Sequence, residues 1–229
     1  MKRMAEAGRG FFGRSALVAA ISAVLCTGTH AIELKVVDDS DGKSITVLMT
    51  GQMAVGDALR VRSFVGGVPQ SKTITMQLAF SGGYRSDAMS IGRFFNQTRI
   101  RTVIPPKMRC TSPCPLALVG GRDPATGKSS YVKYSSAALG FSGVKPNFEE
   151  KDYTVNDLNE AVANTQRDIL QIADFLRDVG ADINLLRYYQ SVLRQNEVQY
   201  ITNEQALDIG IAVILEETGQ IVEPSKSRQ

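Results

Sequence analysis

Hydrophobic and polar residues alternate along the first half of the chain in a pattern typical of strands interleaved with short helices. Periods of about two residues indicate strands, and periods near 3.6 indicate helices. The pattern predicts two strands around a polar Asp-Gly turn at 32–51, a helix at 58–65, a strand at 72–80, a helix at 84–97, and a strand at 99–105. Ala88, Ile91 and Phe95 share one face of the second helix, which we expect to be its buried face.

The second half of the chain begins with strands and becomes helical after about residue 154. We expect a helix within 110–121, strands at 129–135 and 138–144, helices at 156–180, 182–194 and 202–212, and a last strand at 213–217. Thr154 or Asn156 is expected to cap the long helix, and Gly180 to end it. Alternating strands and helices with glycine-rich junctions predict an α/β fold.

The first 31 residues have the pattern of a secretory leader. Four basic residues precede an apolar run from Ser15 to Gly28, and the small-x-small sequence Thr29-His30-Ala31 follows. This run of 14 residues is shorter than the roughly 20 needed to span a bilayer. We therefore expect cleavage after Ala31, with an uncleaved membrane anchor as the alternative, and a periplasmic or secreted mature protein. The expected division is a leader at 1–31, one domain at 32–222 and a disordered tail at 223–229.

Removal of the leader changes the charge of the protein and its chemistry. The leader carries four of the 26 basic residues and one of the 23 acidic residues, which leaves 22 of each. A neutral mature chain does not favour nucleic acid as a partner. The single histidine, His30, lies in the leader, so the mature chain has none. We expect no metal and no cofactor.

Cys110 and Cys114 are the two cysteines that remain after cleavage. In an exported protein a close pair of this kind predicts a disulfide, with two free buried thiols as the alternative. A structural zinc site usually needs four cysteine or histidine ligands, and the mature chain cannot supply them.

Three short motifs occur in an order that resembles the ClpP/crotonase superfamily, in particular its exported ClpP-like members. They are the strand end FSGG at 80–83, the segment CTSPC at 110–114 and the segment ITNEQALDIGIA at 201–212. The resemblance covers about residues 44–215. It implies a ClpP/crotonase-like ββα spiral with a C-terminal helical segment, and assembly into trimers or larger rings.

The same resemblance places Ser112 where ClpP-like peptidases carry their nucleophile. It also implies that Gly82 and Gly83 form the glycine turn, and that backbone N–H groups of Gly83 and of residue 113 bind the oxyanion. Residue 113 is proline, which has no N–H. Loss of one such donor typically costs roughly 100- to 1000-fold in rate.

The remaining catalytic positions of the resemblance also differ here. Phe141 occupies the place of the histidine base, and Val198 the place of the triad acid, with Glu197 adjacent. A serine hydroxyl without a base is a poor nucleophile. One alternative is a serine–lysine dyad, as in related signal-peptide-peptidase-type enzymes, for which Lys151 is the candidate. Its neighbours Glu149, Glu150 and Asp152 favour a solvated, charged turn instead.

Ser112 also has a structural interpretation. Its side chain can cap the following helix, with Pro113 at the first helical position. Our leading hypothesis is an exported ClpP-like protein with impaired or no catalysis and a groove that binds extended peptide or protein segments. The alternatives are a serine peptidase that uses Ser112 and Lys151, and a crotonase-like acyl-thioester enzyme, which export disfavours.

Overall fold

The computed structural model describes residues 31–143, 152–192 and 197–224. Within these ranges the chain is mixed α/β. The strands are β1 (Glu33–Asp38), β2 (Ser44–Met53), β3 (Thr73–Gly83), β4 (Arg101–Ile104), β5 (Arg109–Thr111), β6 (Tyr131–Tyr134), β7 (Ala138–Phe141), β8 (Gln199–Tyr200), β9 (Ala212–Ile214) and β10 (Ile221–Val222). The helices are α1 (Asp57–Gly66), α2 (Arg85–Thr98), α3 (Cys114–Leu118), α4 (Val155–Asp178), α5 (Ile183–Val192) and α6 (Asn203–Asp208).

A seven-stranded sheet forms the centre of the fold, in the order β1-β2-β3-β4-β6-β9-β10. Its inner strands, from β2 to β9, are parallel, and the outer strands β1 and β10 are antiparallel to their neighbours. Parallel neighbours need crossover connections, which the helices between the strands supply.

A smaller sheet has the order β5-β7-β8. β5 and β7 are parallel, whereas β7 and β8 are antiparallel. β5 is therefore an end strand of this sheet. It follows β4 after a short turn, so the chain passes from the large sheet to the small one immediately before Ser112.

One face of the large sheet is buried against the helices. Val47 and Met49 of β2 and Met76 and Leu78 of β3 are fully buried, whereas the residues between them are partly exposed. This alternation is the expected signature of strands with one face in the core. Phe95 of α2 joins the same core. Consequently β2 and β3 hold the glycine turn at 82–83 on a rigid base.

The elements of the first half agree with the sequence expectations, as do β6, β7 and the three late helices within the described ranges. Thr154 caps α4 through a capping box with Asp157. The helix expected within 110–121 is present as α3, but it spans only five residues because β5 extends to Thr111. β5 pairs with β7, almost thirty residues later, and such a long-range pairing overrides local helix preference.

No helix in the part of the chain that the structure describes is long and apolar enough to cross a membrane. Residues 1–30 of the predicted leader at 1–31 and residues 225–229 of the predicted tail at 223–229 lie outside the described residues.

Candidate functional site around Ser112

Ser112 lies between β5 and α3, where three strands meet. Its N–H donates to the carbonyl of Gly140 at 3.1 Å, and its carbonyl accepts from the N–H of Gly82 at 3.0 Å. Its Oγ accepts from the N–H of Ser142 at 3.0 Å. The backbone and side chain of Ser112 thus connect β5 to both β7 and the end of β3.

The predicted cap interaction of Ser112 is wrong. α3 begins at Cys114, Pro113 occupies the N-cap position, and no side chain caps the helix. The Ser112 hydroxyl is bonded instead to Ser142, thirty residues away. Ser112 also lies two residues before the first helical residue. The helix dipole therefore acts on it more weakly than it would on a serine at the start of the helix.

The glycine turn reaches Ser112, as the sequence motifs predict. Gly82 and Gly83 both have positive φ angles, of 64° and 92°. A Cβ on Gly83 would lie 1.7 Å from the carbonyl oxygen of Met53, so no side chain fits there. Because the N–H of Gly82 already donates to the Ser112 carbonyl, this group is engaged within the protein.

An aromatic cluster occupies the side of the site where the resemblance places a histidine. Phe141 is fully buried, and its ring centroid lies 5.0 Å from those of Tyr188 and Tyr189, in edge-on orientations. Edge-to-face rings at this separation attract each other. Phe141 therefore acts as a packing residue, and its ring carries no group that could accept a proton.

The Tyr189 hydroxyl is the one buried side-chain polar atom of the described residues without a hydrogen-bond partner. Burial raises its pKa, and the nearby Ser112 hydroxyl and Arg85 moderate that rise. The phenol is therefore uncharged at neutral pH and lies close to Ser112 without a well-formed hydrogen bond. Nothing in the sequence connects Tyr189 with Ser112.

Val198 lies against the same site. A Cβ on Gly140 would be 2.6 Å from Val198 Cγ1 and 2.9 Å from Thr111 Cγ2. The position that the resemblance assigns to the triad acid is thus apolar and close to the strand that holds Ser112. The adjacent Glu197 is exposed.

A cleft of about 330 Å³ opens beside β3 and β5. It is lined by Thr50, Ala79, Phe80, Ser81, Met108, Arg109, Thr111 and Tyr200. Ser81 and Thr111 are the residues immediately before Gly82 and Ser112, so the cleft adjoins the site. Tyr200 offers a half-exposed ring. Among the described residues, Arg109 has no ion-pair partner within 4 Å.

Lys151, the candidate base, lies outside the described residues. The structure instead shows a buried lysine that sequence reasoning missed. Lys133 of β6 is 1% exposed, and its Nζ donates to Asn203 Oδ1. Burial lowers its pKa, against the opposing effect of Glu216 and Glu204. The sequence indicated this burial only through the position of Lys133 in a strand of alternating apolar and polar residues. The hydrogen-bond partner of Lys133 is Asn203 rather than Ser112.

Cys110 and Cys114 form a disulfide with an S–S distance of 2.05 Å, which confirms the predicted bridge. Both cysteines are fully buried. The bridge joins the middle of β5 to the first residue of α3 and closes the turn that contains Ser112. Within the described ranges, no group of three or more His, Cys, Asp or Glu residues could hold a metal ion.

The geometry thus combines a serine bonded into the fold, an aromatic cluster beside it, and an adjoining polar cleft with Arg109, which has no ion pair among the described residues. No protein family model and no curated protein matches this chain.

Proposed function

We propose that this chain is an exported, ClpP-like protein of the bacterial cell envelope that binds extended peptide segments and does not hydrolyse them. The observation that carries the proposal is the bonding of Ser112, whose N–H, carbonyl and Oγ each bond to a different residue of the fold. Because Ser112 connects three strands in this way, a structural role is sufficient to explain a serine at this position. The ββα spiral and the periplasmic location are parts of the same proposal.

Within the described residues, Ser112 Oγ bonds to a backbone N–H and not to a basic side chain, which supports loss of catalysis. Phe141 and Val198 occupy the positions of base and acid in the resemblance, and Pro113 lacks the N–H of the second oxyanion donor. Each change removes a different component of acyl transfer. Three independent losses at one site are the pattern expected of a protein that keeps the fold for binding.

The cleft supports peptide binding. β5 is an end strand of its sheet and lines the cleft, so an extended peptide can add to it through backbone hydrogen bonds. Arg109 provides a positive charge there that has no ion-pair partner among the described residues, and Tyr200 provides an exposed ring. The chemistry favours an extended peptide that carries a carboxylate, either an acidic side chain or a free C-terminus.

A fluorophosphonate probe tests the catalytic half of the proposal. We expect no labelling of the wild-type protein between pH 6 and 9 beyond that of Ser112→Ala, with an active serine hydrolase as positive control. Labelling that disappears in both Ser112→Ala and Lys151→Ala would establish the alternative, a serine–lysine peptidase, because both groups would then be needed for nucleophilic attack.

Fluorescence anisotropy tests the binding half. We would compare labelled ten-residue peptides of one sequence that carry either glutamate or lysine at the centre, each with a free or amidated C-terminus. Binding should favour a carboxylate, and Arg109→Gln should weaken it roughly 10-fold, the effect of losing one charged hydrogen bond. Lys128→Gln is the matched control, because Lys128 lies in an exposed turn at the opposite ends of the parallel strands. Equal effects of the two substitutions would contradict this site.

Self-association is a further part of the proposal, since ClpP-like proteins form rings. The first half of α4 exposes an apolar stripe in which Val155, Leu158 and Val162 are 73%, 49% and 56% exposed. A second copy of the chain is the occupant that the resemblance favours. In sedimentation velocity, Leu158→Glu should shift the protein to monomer, whereas Asn159→Glu adds the same charge beside the stripe and should not.

A further inference from the structure

The carboxylate of Asp57 lies buried at the start of α1, where it accepts from two neighbouring residues and from the distant residue Ile32. It is 1% exposed, and it accepts from the N–H of Ala54 at 2.7 Å and from Arg60 Nη1 at 2.8 Å. Its third donor is the backbone nitrogen of Ile32, at 3.2 Å. Ile32 is itself 2% exposed, so this contact is closed to solvent.

Ile32 is also the first residue after the predicted leader. Cleavage after Ala31 would convert its backbone nitrogen from a neutral amide to a charged α-ammonium. We propose that the mature protein begins at Ile32 and that this new ammonium forms a buried ion pair with Asp57. The site is a proteolytic processing site whose product is bound by the fold itself, and it is independent of the peptide-binding proposal.

The surroundings of Ile32 fit a charged nitrogen. A buried ammonium is stable only with a partner, and Asp57 provides a carboxylate within hydrogen-bond distance. Arg60, the other cation on Asp57, has a side chain that is 55% exposed, so water screens much of its charge. Asp87 provides a second carboxylate at this end of α1, where it accepts from the N–H groups of Gly56 and Ala58.

The partial exposure of Ala31 also fits cleavage at the bond between Ala31 and Ile32. Ala31 is partly exposed, and its carbonyl oxygen lies 3.0 Å from the position of a Cβ on Gly51. The peptide bond between Ala31 and Ile32 is therefore at the boundary between surface and interior. Removing residue 31 leaves Ile32 in place and exchanges one donor for a stronger, charged one.

The ion pair would connect processing to the candidate site. The segment that leads to Asp57 includes Met53, whose carbonyl packs directly on Gly83 of the glycine turn. The N–H of Ala54 bonds to the same carboxylate that binds Ile32. Release of the leader would thus strengthen the support beneath the turn that adjoins the cleft.

Intact mass measurement of the protein exported from cells is the first test. We expect a chain that begins at Ile32, and any other N-terminus would overturn the proposal. The second test compares two mature chains, one that begins at Ile32 and one that retains Ala31. Asp57→Asn should lower the melting temperature by roughly 10 °C in the first, because it leaves a buried ammonium unpaired. It should cost clearly less in the second, where residue 32 has only an amide N–H.

Arg60→Gln is the matched control, since it removes the exposed cation of the same cluster and should have equal effects in both chains. If Asp57→Asn does not fold, the unsubstituted chains still decide the question through acetylation of the α-amine, followed by mass spectrometry. The amine of Ile32 should react more slowly than that of the chain that retains Ala31. Equal effects of Asp57→Asn, or equal acetylation rates, would show that Asp57 binds an ordinary backbone group.

Discussion

Single residues at the candidate site are constrained by close packing more than by chemistry. Gly83 illustrates this, since the Met53 carbonyl occupies the space of a side chain. Ser112 and Gly82 are constrained in the same sense, because their backbone groups bond to each other. A constraint by packing can be tested by making the same substitution at two positions. The two positions should impose similar backbone strain but differ in the space that surrounds the new side chain.

Gly83→Ala should be severely destabilising. Both Gly83 and Gly42 have positive φ, so alanine at either position incurs backbone strain of about 1–2 kcal/mol. At Gly42 nothing lies within 4 Å of the new Cβ, whereas at Gly83 the clash is with backbone. Urea denaturation should show a loss of about 1–2 kcal/mol for Gly42→Ala and more than about 4 kcal/mol for Gly83→Ala. Similar losses would mean that the turn can move.

Tyr189→Phe should leave the folded state equally stable or make it more stable. The Tyr189 hydroxyl is buried without a partner, and an unsatisfied buried polar group costs about 1–3 kcal/mol. Tyr131 provides the control, because its hydroxyl is not among the buried unsatisfied polar atoms of the described residues, and Tyr131→Phe should not gain stability. Destabilisation by Tyr189→Phe would instead indicate a working hydrogen bond to Ser112. Thermal unfolding of both variants provides the measurement.

At the scale of elements, the sequence predicts those whose pattern is local. The helix at 155–178 is readable from its apolar spacing and from Thr154, and the strand at 73–83 from its alternation. β5 and β8 have three and two residues, and they exist only through pairing with β7, which is distant from both in the sequence. The site follows the same rule. The family resemblance implies that the glycine turn and Ser112 belong to one site, whereas no local pattern indicates that Ser142 and Tyr189 reach Ser112.

Loss of the capping box at Thr202 should lower global stability, whereas loss of the one at Thr154 should affect only local hydrogen exchange. In each, the threonine side chain accepts from the backbone of the third residue of the helix. α6 is short and packs on β9 through buried Ala206, so Thr202→Ala should lower global stability by about 1 kcal/mol. The first turns of α4 are exposed on all sides. Thr154→Ala should therefore increase local hydrogen exchange there and leave the global unfolding midpoint unchanged.

At the scale of the whole molecule, charge influences stability through many small contributions at the surface. The chain has a formal net charge of only +3, so its folded state is not opposed by a large net charge. Several carboxylates nevertheless have their pKa lowered by hydrogen bonds from backbone or hydroxyl groups of nearby residues. They are Asp38, Asp41, Asp123, Glu204 and Glu216.

The lowered pKa values of these carboxylates predict that the folded state loses stability in acid. A group whose pKa is lower in the folded state than in the unfolded state stabilises the fold above its unfolded pKa, near 4, and this contribution disappears as the pH falls through the folded pKa. The N–H of Thr126 and then Arg101 lower the pKa of Asp123 to about 2, the lowest of the set. The melting temperature should therefore be level from pH 7 to about 5 and decrease steadily between about 5 and 2.

Asp123→Asn should reduce that decrease, because the wild-type contribution would be absent at every pH. Glu160→Gln, which removes one charge from the exposed part of α4, should leave the slope nearly unchanged. Equal slopes for the wild-type protein and Asp123→Asn would mean that acid unfolding depends on other groups.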